Sequence, residues 1–392
     1  MPVATWSPLA SVAVVCRSCP AVAALRHVVE AIDAYLDVSR SWSIGAASRF
    51  DSVRLLDRVA AREAATAVNG KRHRQQQFAI GMKTVAKSGS AAVAQWLCAY
   101  FREGRVPTEV VTLLAGNGHL EVLAWLFDNH DNVYWGGDEM HYAVTNDRFE
   151  VVKWLQYHTT PPNEDSFLLD EAARHGNLAM MQWLHRERGD RVTYDGAMRA
   201  ANNGYLDVVQ WLCCSFDFLE PRDFNMDKTA GNGHIGVLQW LHDNGAWCTS
   251  QAMNRAARNG HLDVVQWLHE YRKEGCSTDA MDYAAANGHL DVVQWLNENR
   301  AEGCTHFAMD MAAKNGYLAV VQWLHYNRSE GCTKRAMDDA AANGHMDVLS
   351  WLHEHRSEGC SVAAVEGATQ YSHWGVVQWL HQAYPGQFVP GV

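Results

Sequence analysis

The stretch CSTDAMDYAAANGHLDVVQWLNENRAEG, residues 276–303, decides the fold. In its second half Leu290, Val293 and Leu296 fall at three- and four-residue intervals along one side of a helix, and Val292 and Trp295 widen that stripe. Asp291 in the first turn and Arg300 in the last both suit the helix dipole. The pattern predicts a helix from about His289 to Arg300, covered on two sides. The first half is rich in strong helix formers, Ala280, Met281, Ala284, Ala285 and Ala286. Ser277 can cap this first helix by accepting an orphan N–H, as can Thr249, Thr305, Thr333 and Ser361 at the same place in neighbouring stretches. Gly288 ends it, because glycine enters the left-handed region without Cβ strain. Asn287-Gly288 is also a hairpin-turn signal, but its flanks carry helical and not alternating periodicity. Gly303 closes the second helix and Cys304 starts the pattern again.

Outward from this unit, the dipeptide Trp-Leu begins at Trp96, Trp125, Trp154, Trp183, Trp211, Trp240, Trp267, Trp295, Trp323, Trp351 and Trp379, spaced by 27 to 29 residues. Eleven such copies cover about three quarters of the chain. A helical pair of this size cannot bury its apolar face alone, so neighbours must stack around a continuous core. The expectation is an all-α solenoid with an indole-rich seam, each Trp burying roughly 150–250 Å² and costing roughly 3–5 kcal/mol on removal.

NGHLDVVQWL (287–296, nearly repeated at 259–268) resembles the second-helix signature of ankyrin repeats, and AMDYAAANG the first helix. The unit resembles the shortened ankyrin repeats abundant in oomycete proteomes. It is 28 or 29 residues long instead of about 33, and DAMDYA or FAMDMA replaces the usual T-P-L-H-x-A start. The resemblance implies an ankyrin-like α-solenoid of about 11–12 stacked helix-turn-helix repeats with shortened finger loops, and a protein-binding role.

The remaining segments define the expected organisation. Residues 21–38 read as an amphipathic helix within an N-terminal cap, 1–40. RFDSVRLLDR (49–58) looks like a degenerate second helix, which with the basic, Gln-rich insertion NGKRHRQQQ (69–77) makes up 41–77 as a degenerate first repeat plus linker. The repeat array is expected over 78–383, followed by a tail, 384–392.

The chain has 392 residues with 33 Lys plus Arg and 44 Asp plus Glu, a formal net charge of −11. That balance argues against a dedicated nucleic-acid or anionic-membrane binder. With 48% hydrophobic and 20% charged residues, it has the composition of a packed protein and not a disordered one. Leu9 to Cys16 is too short for the roughly 18 apolar residues of a membrane span, and no secretory signal is recognisable there. These features point to an intracellular, cytoplasmic protein. The basic run Lys71–Arg74 reads as a solvated loop and leaves a nuclear location open.

Chemistry is sparse. Cys248, Cys276, Cys304, Cys332 and Cys360 recur at one point of successive units. Helices packed about 8–10 Å apart cannot present them within the roughly 4.4–6.8 Å between Cα atoms that a disulfide needs, so they read as small buried thiols in the core. Cys16 and Cys19 have half the spacing of a zinc site, with no second pair nearby. Eleven of the 20 histidines follow either the helix-ending Gly (His119, His234, His261, His289, His345) or Trp-Leu (His185, His242, His269, His325, His353, His381), as repeat positions and not a convergent site, and Asp282, Asp310 and Asp338 are likewise periodic. No HExxH, GxSxG or P-loop sequence occurs. No catalytic residue, metal or cofactor is expected.

Variation between copies falls on the outer side of the first helix and the loop before it. Arg255, Tyr283, Met311 and Asp339 are equivalent, as are Arg258 and Lys314, and Gln251, Asp279, Phe307 and Arg335. The resemblance implies that these residues line a concave groove. Either they are a drifting solvated surface or a recognition strip with Phe307, Tyr283 and Met311 as anchors. The expected function is a non-catalytic, monomeric scaffold binding a protein partner there. The alternative is a substrate-selecting adaptor recruiting a modification enzyme through residues 1–45, and a third reading places an enzyme activity in the N-terminal segment.

Overall fold

The computed structural model describes residues 42–66, 70–131, 133–135, 138–159, 167–386 and 388. The expected cap at 1–40, with Cys16 and Cys19, lies outside them. The chain divides into two units, Met1–Ala172 with Gln182–Asp190, and Ala173–Met181 with Arg191–Val392. Among the described residues there is no strand, only an isolated bridge between Asn225 and Trp247.

The second unit holds the regular copies. Its helix pairs include Gln251–Arg258 with Leu262–Tyr271, Thr278–Ala286 with Leu290–Asn299, His306–Lys314 with Leu318–Asn327, Lys334–Ala342 with Met346–His355, and Val362–Gln370 with Trp374–Ala383. First helices pack on first helices and second on second down this series. The caps are as the sequence indicates: the hydroxyls of Ser277, Thr305, Thr333 and Ser361 accept the N–H two residues on, at 3.1–3.3 Å. Helices end at left-handed glycines such as Gly288, φ 80°, and His289 and Arg300 flank the second helix as its caps.

The core differs from the expected indole seam. Leu296, Leu324 and Leu352 are at most 1% exposed, and Val292, Val293, Ala284 and Met281 fill the space between them. Most of the tryptophans of the Trp-Leu pairs are only half-buried, Trp183 and Trp267 being buried. The reason is angular: a residue next to the core-facing Leu is turned by roughly 100°, onto the rim. There, in several repeats, the imidazole of the preceding repeat stands edge-on against the ring, His242 to Trp267 at 5.3 Å, His269 to Trp295 at 5.2 Å and His325 to Trp351 at 5.1 Å.

In the first unit, Val53–Thr66 is the second-helix-like element expected around 49–58, with Leu56 fully buried. Lys71–Ser88 is a single helix, so the run expected as a loop and linker is helical. Lys, Arg and Gln are good helix formers, and this run is fastened to its neighbours. Gln77 accepts the Gly45 N–H at 3.0 Å, and Gln75 exchanges two bonds with the Arg105 backbone at 2.8 and 3.1 Å. Lys71 pairs with Glu103 at 3.3 Å, and Arg74 lies 5.6 Å from the Tyr100 and Phe101 rings. Thr108–Asn117 with Leu120–Asn129 and Glu139–Thr145 with Phe149–His158 follow as further pairs.

Candidate binding surface

The surface of the second unit rests on polar clamps between successive first helices. The Asp282 carboxylate, 5% exposed, accepts the Thr305 N–H at 2.7 Å and its hydroxyl at 2.8 Å. Asp310 does the same to Thr333, Asp338 to Ser361 and Asp227 to Thr249, at 2.6–2.7 Å. Asn254 serves Ser277 with its amide, accepting the N–H at 3.0 Å and donating to the hydroxyl at 2.8 Å. At the Asp clamps the hydroxyl gives its proton to the carboxylate and keeps its lone pairs to cap its own helix, whereas the Ser277 oxygen accepts from both Asn254 and the Asp279 N–H. Burial raises the Asp282 pKa and the two Thr305 bonds oppose that rise. The periodic aspartates are thus fasteners.

Two further ladders run alongside. The Asn before the helix-ending Gly donates to a carbonyl of the preceding first helix: Asn259 to Gly231 at 2.6 Å, Asn287 to Arg258 at 3.0 Å, Asn315 to Ala286 at 2.7 Å. The glycine has a second duty, since a Cβ on Gly260 would lie 2.6 Å from the His289 ring of the next repeat, and one on Gly288 2.7 Å from Tyr317. In the loops, Arg272 pairs with Glu274 at 2.7 Å, and Arg300, Arg328 and Arg356 pair with Glu302, Glu330 and Glu358. Each arginine also reaches back one repeat, as Arg328 does to Asn297 at 3.1 Å. Burial raises the Glu302 pKa, but the Arg300 hydrogen bonds outweigh it and hold the carboxyl below its ordinary range. Cys248, Cys304 and Cys360 are buried and Cys276 and Cys332 half-buried, all as free thiols beside this layer. Burial pushes the Cys304 and Cys276 pKa values up to about 11. At the last repeat Tyr384 stands where the arginine would be, its hydroxyl 3.0 Å from His353 Nδ1.

On this frame the variable positions form rows. Gln251, Arg255, Arg258 and Arg335 are exposed, whereas Asp279, Tyr283, Phe307, Met311, Lys314 and Asp339 are half-buried. The Arg258 guanidinium sits 4.9 Å over the Tyr283 ring, which meets Phe307 edge-on at 5.8 Å. These three side chains, one from each of three consecutive repeats, are brought into direct contact. Arg255 packs over Gly231, its Cβ 2.8 Å from where a glycine Cβ would stand. The clamps were not legible as such in the sequence, although the constant interval from Asp282, Asp310 and Asp338 to Thr305, Thr333 and Ser361 was their trace.

Among the described residues, no group of three or more His, Cys, Asp or Glu side chains gathers as a metal site, and no helix is long and apolar enough to cross a membrane.

Stacked helical hairpins of this kind, with constant fasteners and a variable outer row, define a repeat protein of the interaction-module class. The family model for ankyrin repeats (many copies) matches residues 226–269, 253–297, 281–325 and 309–353. Residues 226–353 are thus ankyrin-like repeats, and the match falls on the most regular copies. A comparison with curated proteins returns no match.

Proposed function

We infer that this chain is a protein–protein interaction scaffold, the general role of ankyrin repeats, which are typically non-catalytic. We propose that this chain binds its protein partner on the first-helix and loop face of the second unit, across Gln251, Arg255, Arg258, Asp279, Tyr283, Phe307, Met311, Lys314, Arg335 and Asp339. The contact row Arg258–Tyr283–Phe307 carries this reading. It offers a preassembled aromatic and guanidinium surface of the composition that anchors interfaces, and its rigid clamped frame spares a ligand the ordering cost of a mobile loop. Capture of a partner from the source cell by the full chain, compared with an Arg255→Glu plus Tyr283→Ala variant, tests it. Loss of capture with unchanged helical content is expected, and unchanged capture would move the site elsewhere.

A further inference from the structure

The two faces of the second unit carry opposite charge. The second helices Ile235–Asp243, Leu262–Tyr271, Leu290–Asn299, Leu318–Asn327, Met346–His355 and Trp374–Ala383 hold seven Asp or Glu and no Lys or Arg. The matching first helices, from Asp227–Gly231 to Val362–Gln370, hold Lys228, Arg255, Arg258, Lys314, Lys334 and Arg335. Of their seven acids, Asp227, Asp282, Asp310 and Asp338 are the clamps, turned onto Ser or Thr of the next repeat. That leaves six cations against three acids, Asp279, Asp339 and Glu366, on the outer side. Among the described residues none of the six cations is in an ion pair, whereas the loop arginines 272, 300, 328 and 356 all are. In a chain of net charge −11 this is a segregated cationic strip.

The strip has an internal order. Lys228, Arg255 and Arg258 stand at one end and Lys334 and Arg335 at the other, with Tyr283, Phe307 and Met311 on the two repeats between them and Lys314 closing the helix that carries Phe307 and Met311. From the helix of Arg258 to that of Arg335 is three repeat steps, about 24–30 Å at 8–10 Å per packed helix. An extended peptide covers that distance in about eight or nine residues.

We propose that the partner presents an extended acidic peptide, with carboxylates about eight or nine residues apart meeting the two cationic ends and an apolar side chain between them on Tyr283 and Phe307. This rests on the face assigned under the proposed function and adds the chemistry of its ligand. A nucleic acid fits less well: its charge is continuous along the strand, so phosphates would also fall on the aromatic centre and beside Asp279 and Asp339.

The test is fluorescence anisotropy of the full chain with a rhodamine-labelled peptide of three glutamates, a Gly-Ser-Leu-Phe-Ser-Gly spacer and three more glutamates. Controls are the same peptide with lysines for glutamates, the same peptide with serines for Leu-Phe, and a labelled oligothymidylate of equal length. The glutamate peptide is expected to bind, the lysine peptide not, and the serine version several-fold more weakly. Arg255→Glu with Arg258→Glu, and separately Lys314→Glu with Arg335→Glu, are each expected to weaken binding roughly tenfold. Asp263→Lys with Glu270→Lys on the opposite face should leave it unchanged. Circular dichroism checks folding, and Arg→Gln substitutions replace any reversal that misfolds. Absence of peptide binding, equal sensitivity to both faces, or tighter binding of the oligonucleotide would overturn the proposal. If the Arg255→Glu, Tyr283→Ala variant loses its cellular partner but the glutamate peptide fails to bind, the face stands and the acidic chemistry falls. If the variant keeps its partner, the face falls as well.

Discussion

Residues 251–361 and residues 108–158 are built from the same helical pair, yet their successive first helices are fastened differently. In the former, an Asp or Asn five residues before the turn Asn grips the next repeat's cap. In the latter, Thr112 and His141 take that place, and the Thr112 hydroxyl turns back onto Thr108 of its own helix at 3.3 Å. Contact there passes through rings, Phe127 meeting Trp154 at 5.5 Å and Trp135 at 5.7 Å, and through Arg148, whose Nε donates to the Gly116 carbonyl at 3.2 Å. Directed buried hydrogen bonds hold the register of the helices on which the variable row sits, whereas aromatic contacts are less demanding of position. The regular region is therefore the one suited to present side chains from different repeats at fixed separations.

The sharpest way to break this contrast is Asp310→Ala, which strands the Thr333 N–H and hydroxyl. A loss of about 3 kcal/mol is expected from urea denaturation, because bonds to a buried charged acceptor are among the stronger ones. Thr112→Ala should change stability by no more than about 0.5 kcal/mol. Replacing Gly288 by Ala comes next, at about 2 kcal/mol, since it combines a left-handed φ with collision against Tyr317. The converse change in the first unit, Asp51→Gly at φ 46°, is expected to stabilise by about 0.5–1 kcal/mol. Thermal melts of both variants measure the difference.

Cysteine labelling gives a smaller, chemical contrast. With the Cys304 and Cys276 pKa values raised from 9.0 to about 11, their thiolate fractions near neutral pH fall about a hundredfold. Exposed Cys214 should therefore react before Cys276 and Cys304 with iodoacetamide under native conditions, as peptide mapping would show. The smallest effect is one of pH. Burial, Arg356 and His355 lower the pKa of His325 below 6.5, so protonation favours the unfolded chain. The stabilisation is present above the unfolded-state value near 6.5 and is lost as pH falls through the lower folded-state value. His325→Asn, the residue that stands at the same place as Asn297, should flatten the melting temperature below neutral pH.

The helices, their caps and their ends were legible because they rest on local rules: Ser277 before an Ala-rich run, Gly288 after it, and Leu290, Val293 and Leu296 at helical spacing. The tryptophans misled because periodicity shows that a position recurs and not how deeply it lies; Leu296 is the buried member of its pair and Trp295 the rim. The run from Lys71 is solvated as its charge suggests, Lys71–Arg74 being exposed, but it is a helix and not a loop: its partners Glu103, Tyr100 and Arg105 come from neighbouring elements that composition does not reveal. Of the candidate surface, the variable positions were visible as departures from repetition, but the contact of Arg258 with Tyr283 and of Tyr283 with Phe307 was not.

The repeat length, the helix pair and the ankyrin-like fold class are determined by the sequence alone, because backbone propensity and amphipathic period act within a single unit. Which side chains are clamps, which form the rim and which are left on the outer face is decided only by the tertiary structure. Those roles are set by distances between residues more than twenty positions apart, and a donor finds its acceptor only after the repeats have stacked.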